Sequence, residues 1–182
     1  MKYAQLFTVI IGVNDSLPLL GVLAILNSSL LKFYLHRKSS LKAGGYFSYS
    51  SKVLNDVPLP NSISEVIVSK TNSLLSSNIE YNKVIRNFTH LLQSKFDFDK
   101  PSKKLQNWQE LDFGNFLKEL KKQKIQLSLS KEAEWMQYFN EQKEKAQTIQ
   151  AEIDKTDKKI DQMVYALYNL SEDEIKIVED ER

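Results

Sequence analysis

Thirty-nine consecutive residues, 130–168, contain neither glycine nor proline. Within them Trp135, Phe139, Gln142, Ala146, Ile149, Ile153, Thr156, Ile160, Met163 and Leu167 recur at alternating spacings of four and three. That is a heptad-like seam on one side of a single helix. At 1.5 Å per residue such a helix is about 58 Å long, more than a small domain is wide. Its apolar side therefore has to lie along other helices, most simply those of residues 62–95. Gln142 and Thr156 interrupt the seam and Trp135 is bulky for a dimer interface, which favours packing within the chain over a self-associating coiled coil. After Leu167 the pattern stops at Asn169, a residue suited to the left-handed position that ends a helix. Ser171 and Glu174 then form a capping box for a short final helix.

The rest of the chain reads as shorter elements. Residues 4–12 are rich in Leu, Phe, Val and Ile and end at Gly12, which predicts a buried strand. Asp15 or Ser16 caps a helix that carries Pro18 in its first turn and runs to Arg37. Gly44-Gly45 breaks the chain, and 46–49 alternates aromatic with small residues like a second short strand. Pro58 and Pro60 force an extended segment. Ser62 and Glu65 open a further helical pattern to Lys95, with a break near Ser77-Asn78. Asp112 caps a helix with Phe113, Phe116, Leu117 and Leu120 on one side. The expected fold class is mainly α (α+β): a small strand-containing N-terminal part, residues 1–60, followed over 61–182 by a helical bundle with one long C-terminal helix.

Composition narrows the chemistry. An apolar fraction of 42% with 26% charged residues belongs to a globular chain rather than a disordered one. The absence of cysteine excludes disulfides, thiolate metal sites and a cysteine nucleophile. Residues 17–35 are apolar, but Asn27, Ser28, Ser29 and Lys32 fall in their second half, which favours a buried core helix over a membrane span. No leader-type cleavage site follows residues 4–12, and a cytoplasmic location is the expectation. The net charge of +2 hides an asymmetry: residues 1–129 are basic and residues 130–182 acidic. From residue 16 to 55 there is no acid, while Lys32, Arg37, Lys38, Lys42 and Lys52 are present. A basic front suits a polyanionic partner on one side.

Several phrases resemble a known group. VLAILNSSLLKFYL (22–35) and GGYFSYSSKVLNDVPLP (44–60) resemble the C-terminal specificity region of TaqI-type adenine methyltransferases. Residues 96–139 resemble the helical tail of type IIG restriction-modification enzymes, which fuse an endonuclease, an adenine-N6 methyltransferase and a target-recognition domain. IDQMVYALYNLSEDEIKIVE (160–179) is similar to the phrase that closes such polypeptides. The (N/D)-P-P-(Y/F) loop and the glycine-containing cofactor loop of these methyltransferases have no counterpart here. Glu-x-Lys occurs at 119–121, 141–143 and 174–176, but no Pro-Asp precedes any of them.

The resemblance thus implies the non-catalytic, DNA-reading and scaffold portion of such an enzyme. It implies double-stranded DNA as partner, together with the methyltransferase and endonuclease part of the same or a companion polypeptide. It implies no cofactor in this chain, although the parent enzymes use S-adenosylmethionine and Mg, and no catalytic or metal residues. Residues 1–60 would then be the end of a target-recognition domain and 61–182 its helical scaffold. Extruding a base for methylation requires a second module that holds the duplex. The expected DNA contacts are Arg37, Lys38, Lys42 and Lys52 on phosphates, with Tyr46, Ser48 and Tyr49 near base edges. His36 reads as a helix-end residue, and Trp108, Trp135 and Phe139 as core anchors rather than stacking platforms. The competing class is a helical protein-interaction module with no affinity for DNA.

Overall fold

The computed structural model describes residues 17–39, 41–42, 46–47, 49–96 and 100–180. Eight α-helices carry these residues: α1 (Leu19–Asn27), α2 (Ser29–Lys38), α3 (Ser51–Asn55), α4 (Glu65–Phe96), α5 (Lys103–Gln106), α6 (Phe113–Lys122), α7 (Leu129–Leu167) and α8 (Glu172–Asp180). They form two compact units, Met1–Leu74 with Thr156–Arg182, and Leu75–Lys155.

The expectation of an α+β fold with a strand-containing N-terminal part is overturned: the protein is a helical bundle. The first expected strand, residues 4–12, lies outside the described residues. Among those described, extended pairing is confined to a two-rung antiparallel contact, Leu41 opposite Phe47 and Lys42 opposite Tyr46. Two residues a side cannot form a layer with a buried face, so the alternation at 46–49 does not make a sheet.

In the first unit the expected single helix of residues 17–37 is two helices, bent by 63° at Ser28. Ser28 is extended; its Oγ accepts from the Leu31 amide and donates to the Ile25 carbonyl. Asn27 Nδ2 donates to the Leu23 carbonyl. Short polar side chains thus take over backbone bonds at the break, the competition that such residues bring to a helix. A carboxylate completes it. Asp161, 4% exposed on α7, accepts from the Ser29 amide at 2.8 Å and from Ser29 Oγ at 2.7 Å. A negative group at the N-terminus of α2 also meets the positive end of the helix dipole. Asp161 faces inward, where α2 has amide donors to satisfy.

α1 is apolar all round, and residues Gly21 to Ile25 are buried, as a core helix requires. Pro18 is its cap position, without a side-chain bond. Gly21 admits Ile63, whose Cγ2 would lie 2.6 Å from a Cβ placed there. No single helix among the described residues is long and apolar enough to cross a membrane, though α1 and α2 as a bent pair pass that test of length and composition.

α4 starts at Glu65, three residues after the proposed cap Ser62, and continues through Ser77-Asn78 without a break. The buried positions Ile67, Thr71, Leu74, Val84, Phe88 and Leu92 keep helical spacing along it. Its polar residues bond back to carbonyls one turn earlier, Thr71 to Ile67 and Asn82 to Asn78 among them, so they stay inside the helix. Burial of the apolar stripe outweighs the weak propensity of the Ser-Ser-Asn run.

In the second unit Phe88 is fully buried at the centre of an aromatic cluster. Trp108 stacks on it at 3.9 Å between ring centroids, and Phe116, Trp135, Tyr138 and Phe139 surround it. Trp108 Nε1 donates to the Ile85 carbonyl. Asp112 caps α6 by accepting from the Asn115 amide, as expected. Phe139, Ala146 and Ile149 of the α7 seam are buried here, and Ile153 with them; Glu80 of α4 pairs with Lys145 at 3.7 Å.

Both α6 and α7 end in the same device. The Ile125 amide reaches the Leu120 carbonyl around Lys124 (φ 63°), and the Leu170 amide reaches the Tyr165 carbonyl around Asn169 (φ 52°). This double bond pattern satisfies the last carbonyls of a helix and needs one left-handed residue. Asn169 announces it in the sequence; Lys124 does not. The Ser171–Glu174 capping box is formed, with Glu174 accepting from the Ser171 amide at 2.8 Å.

Candidate nucleic-acid interface

α2 is the element that positions the expected contacts. Its last turn holds His36, Arg37 and Lys38, where cations interact favourably with the helix dipole. Both Arg37 and Lys38 are exposed. The Arg37 guanidinium lies 4.4 Å from the centroid of Phe33 and the Lys38 ammonium 5.8 Å from that of Tyr34, each one turn back on the same helix. Such contacts with a ring face hold a long side chain without neutralising it.

Two further bonds fix the surroundings. The Tyr34 hydroxyl donates to the carbonyl of Asp56, the residue that caps the end of α3. The His36 ring stacks on Phe47 at 3.9 Å and 13°, which lays the two-rung ribbon on the end of α2. In that ribbon the backbones of Lys42 and Tyr46 face each other. Ser50 caps α3 by accepting from the Val53 amide, and Lys52 stands exposed in the first turn. Ser48 lies outside the described residues. Tyr49 is 37% exposed, and burial of its ring side pushes the phenol above its ordinary pKa. Like any phenol at neutral pH, its hydroxyl is a hydrogen-bond donor.

Arg37 and Lys38 thus stand at the end of α2 on which the ribbon carrying Lys42 and Tyr46 rests, while Lys52 stands at the start of a helix whose far end is bonded to Tyr34. Behind α2 a cavity of about 200 Å³ is lined by Ile25, Leu31, Tyr34, Pro58, Tyr168 and Leu170 among others. The Tyr168 hydroxyl donates to the Pro58 carbonyl at 2.6 Å, and burial raises its pKa. Among the described residues no three His, Cys, Asp or Glu side chains group as metal ligands would.

The sequence reading missed the residues that hold this end together. Phe47, Tyr34 and Asp56 carry no motif; His36, read as a helix-end residue, does stand in the last turn of α2, and its stacking on Phe47 is what the sequence did not announce. For Asp161 a signal existed: it stands one residue from Ile160 and three from Val164, beside the apolar seam of its own helix.

A protein-family model described as Domain of unknown function (DUF8810) matches residues 60–164, more than half of the chain. No curated protein and no solved structure matches it. The matched span begins after α3, so the α2 cluster precedes it.

Proposed function

For this chain, which belongs to the family of the Domain of unknown function DUF8810, we propose a role as a non-catalytic scaffold that contacts double-stranded DNA. In this reading it is the target-recognition and scaffold portion of a type IIG restriction-modification system. The methyltransferase and nuclease chemistry, with S-adenosylmethionine and Mg, then belongs to the same or a companion polypeptide. The observation that carries the reading is the acid-free run of residues 16–55, whose Arg37 and Lys38 stand exposed on aromatic rings at the end of α2. Cations so held neutralise phosphates whatever the sequence. Tyr46 on the neighbouring ribbon and Tyr49 after it, with Ser48 between them in sequence, supply the polar and aromatic groups that read base edges.

The test is duplex binding by the chain at several salt concentrations. If three or four of Arg37, Lys38, Lys42 and Lys52 touch phosphates, log K falls against log salt with a slope of about −3 to −4, at roughly −0.9 per contact. Lys42→Ala lowers that slope by about one and weakens all sequences alike, whereas Tyr46→Ala shifts preference among sequences. Binding indifferent to removal of all four cations refutes the reading.

One observation favours the second class, a helical protein-interaction module. An open groove of about 610 Å³ in the second unit is lined by Leu91, Phe96, Leu127, Trp135 and Tyr138, and Leu129 beside it is 84% exposed. A chain with no DNA affinity that self-associates in sedimentation, with Trp135 fluorescence changing on association, would replace the first reading by this one.

A further inference from the structure

A second basic surface lies inside the family-matched region. Between residues 100 and 124 there are seven lysines and three acids, an excess larger than the net charge of the whole chain. α5 and α6 fold this stretch around a concavity of about 450 Å³ lined by Lys104, Asn115, Lys118, Glu119, Lys121 and Lys122.

Its floor is already neutral. Glu119 is buried, with one carboxylate oxygen bonded to Lys122 at 2.7 Å and the other accepting from Ser102 Oγ at 3.2 Å. The Lys122 bond and charge hold this carboxyl below its ordinary pKa, so it stays ionised and cancels Lys122. Asp112 is occupied in capping α6. Lys104, Lys118 and Lys121 are exposed; among the described residues no carboxylate stands within ion-pair distance of them, and Glu119 acts on Lys104 only at longer range. Favourable charge at a helix C-terminus accounts for lysines in the last turns of α5 and α6, but not for Lys118 in the middle of α6.

We propose that this concavity is a phosphate-binding surface for a nucleic-acid backbone, with Lys104, Lys118 and Lys121 as the contacting cations. A concave wall of one sign focuses field on a polyanion more than a convex one does. A lipid surface fits less well, because membrane-binding helices insert an apolar face. The apolar face of α6 is spent in the aromatic core: Phe116 and Leu120 are buried, and Phe113 packs against Phe116 and Phe139. The inference does not depend on the α2 cluster, which lies in the other unit.

The experiment uses the full chain, a fluorescent mixed-sequence duplex, and anisotropy at several salt concentrations. The variant K104Q/K118Q/K121Q is compared with K155Q/K158Q/K159Q, which removes the same charge from exposed positions of α7. Circular dichroism verifies that both remain folded. The expected result is a slope reduced by about 2.7 in the first variant, at roughly 0.9 per lost contact, and unchanged in the second. Equal effects of the two triples overturn the inference, because net charge alone would then explain binding. So does unchanged binding by the first triple; if removal of Arg37, Lys38, Lys42 and Lys52 still weakens the complex, the α2 reading survives alone. Loss of slope in K104Q/K118Q/K121Q with none on removing those four leaves this surface standing without the other. Binding of phosphatidylserine vesicles or polyglutamate through these lysines, with no duplex binding, assigns the surface to another partner and ends the proposal.

Discussion

Replacing Asp161 by alanine tests the buried join between α7 and α2. The carboxylate accepts two short bonds from Ser29, at 2.8 and 2.7 Å, from a site only 4% exposed. A hydrogen bond to a charged group contributes about 1.5–3 kcal/mol, and truncation leaves both donors buried without this acceptor. The two together set the expected cost of Asp161→Ala at about 3–5 kcal/mol. For a chain of this length that lowers the midpoint of thermal unfolding by roughly 6–20 °C, at about 2–4 °C per kcal/mol. Asp161→Asn is milder, about 1–2 kcal/mol: its amide oxygen serves the Ser29 N–H, and the serine hydroxyl can turn to accept from the new NH₂. Asp154→Ala is the control, since that exposed carboxylate accepts from Gln150 on its own helix, and surface changes of this kind stay within about 0.5 kcal/mol. Urea unfolding followed by far-ultraviolet circular dichroism gives the stabilities, and amide hydrogen exchange over Leu31 to Leu35 reports on α2 itself. An Asp161→Ala cost no larger than that of Asp154→Ala, or unchanged exchange in α2, would refute the argument that this carboxylate holds the helix break.

Gly21→Ala should destabilise by about 1–2 kcal/mol in urea unfolding despite its better helix propensity, because the new Cβ meets Ile63 at 2.6 Å; adding Ile63→Ala should recover part of the loss. Phe88→Ala should cost about 3–5 kcal/mol and change the fluorescence of Trp108, which stacks on it. Lys124→Gly should stabilise by about 0.5–1 kcal/mol in the same assay, since φ is 63° and a side chain is strained there. Glu119 has a lowered pKa through Lys122, so its contribution is present above the ordinary glutamate range and is lost as pH falls through the folded value. Thermal melting should therefore lose less on acidification below about pH 4.5 in Glu119→Gln than in the parent.

Local and periodic information was legible without coordinates. The α7 seam, the Asp112 cap, the Ser171–Glu174 box and the left-handed Asn169 are all written within one or two helical turns. Their physics is short-ranged: a side-chain oxygen near an amide three residues away, or an apolar residue every three or four. The same locality let Trp108 and Phe139 be read as core anchors. It misled where partners come from far along the chain. The break at Ser28 depends on Asp161, 132 residues from its partner Ser29, and on the competition of Asn27 and Ser28 for backbone bonds. The continuity of α4 through Ser77-Asn78 depends on burial either side of it, which no window of polar residues reveals. Residues 46–49 read as a strand because alternation is a local signal, but a sheet layer needs neighbours, and the described residues supply only the two-rung pairing of Leu41 and Lys42 with Phe47 and Tyr46. For the candidate surfaces, sequence named cations; only folding decided which of them stand on aromatic rings, which surround a concavity, and which, like Lys122, are cancelled by a buried carboxylate. A charge is set by its residue, but its usable field is set by what lies within a few ångströms, and that is a property of the tertiary structure.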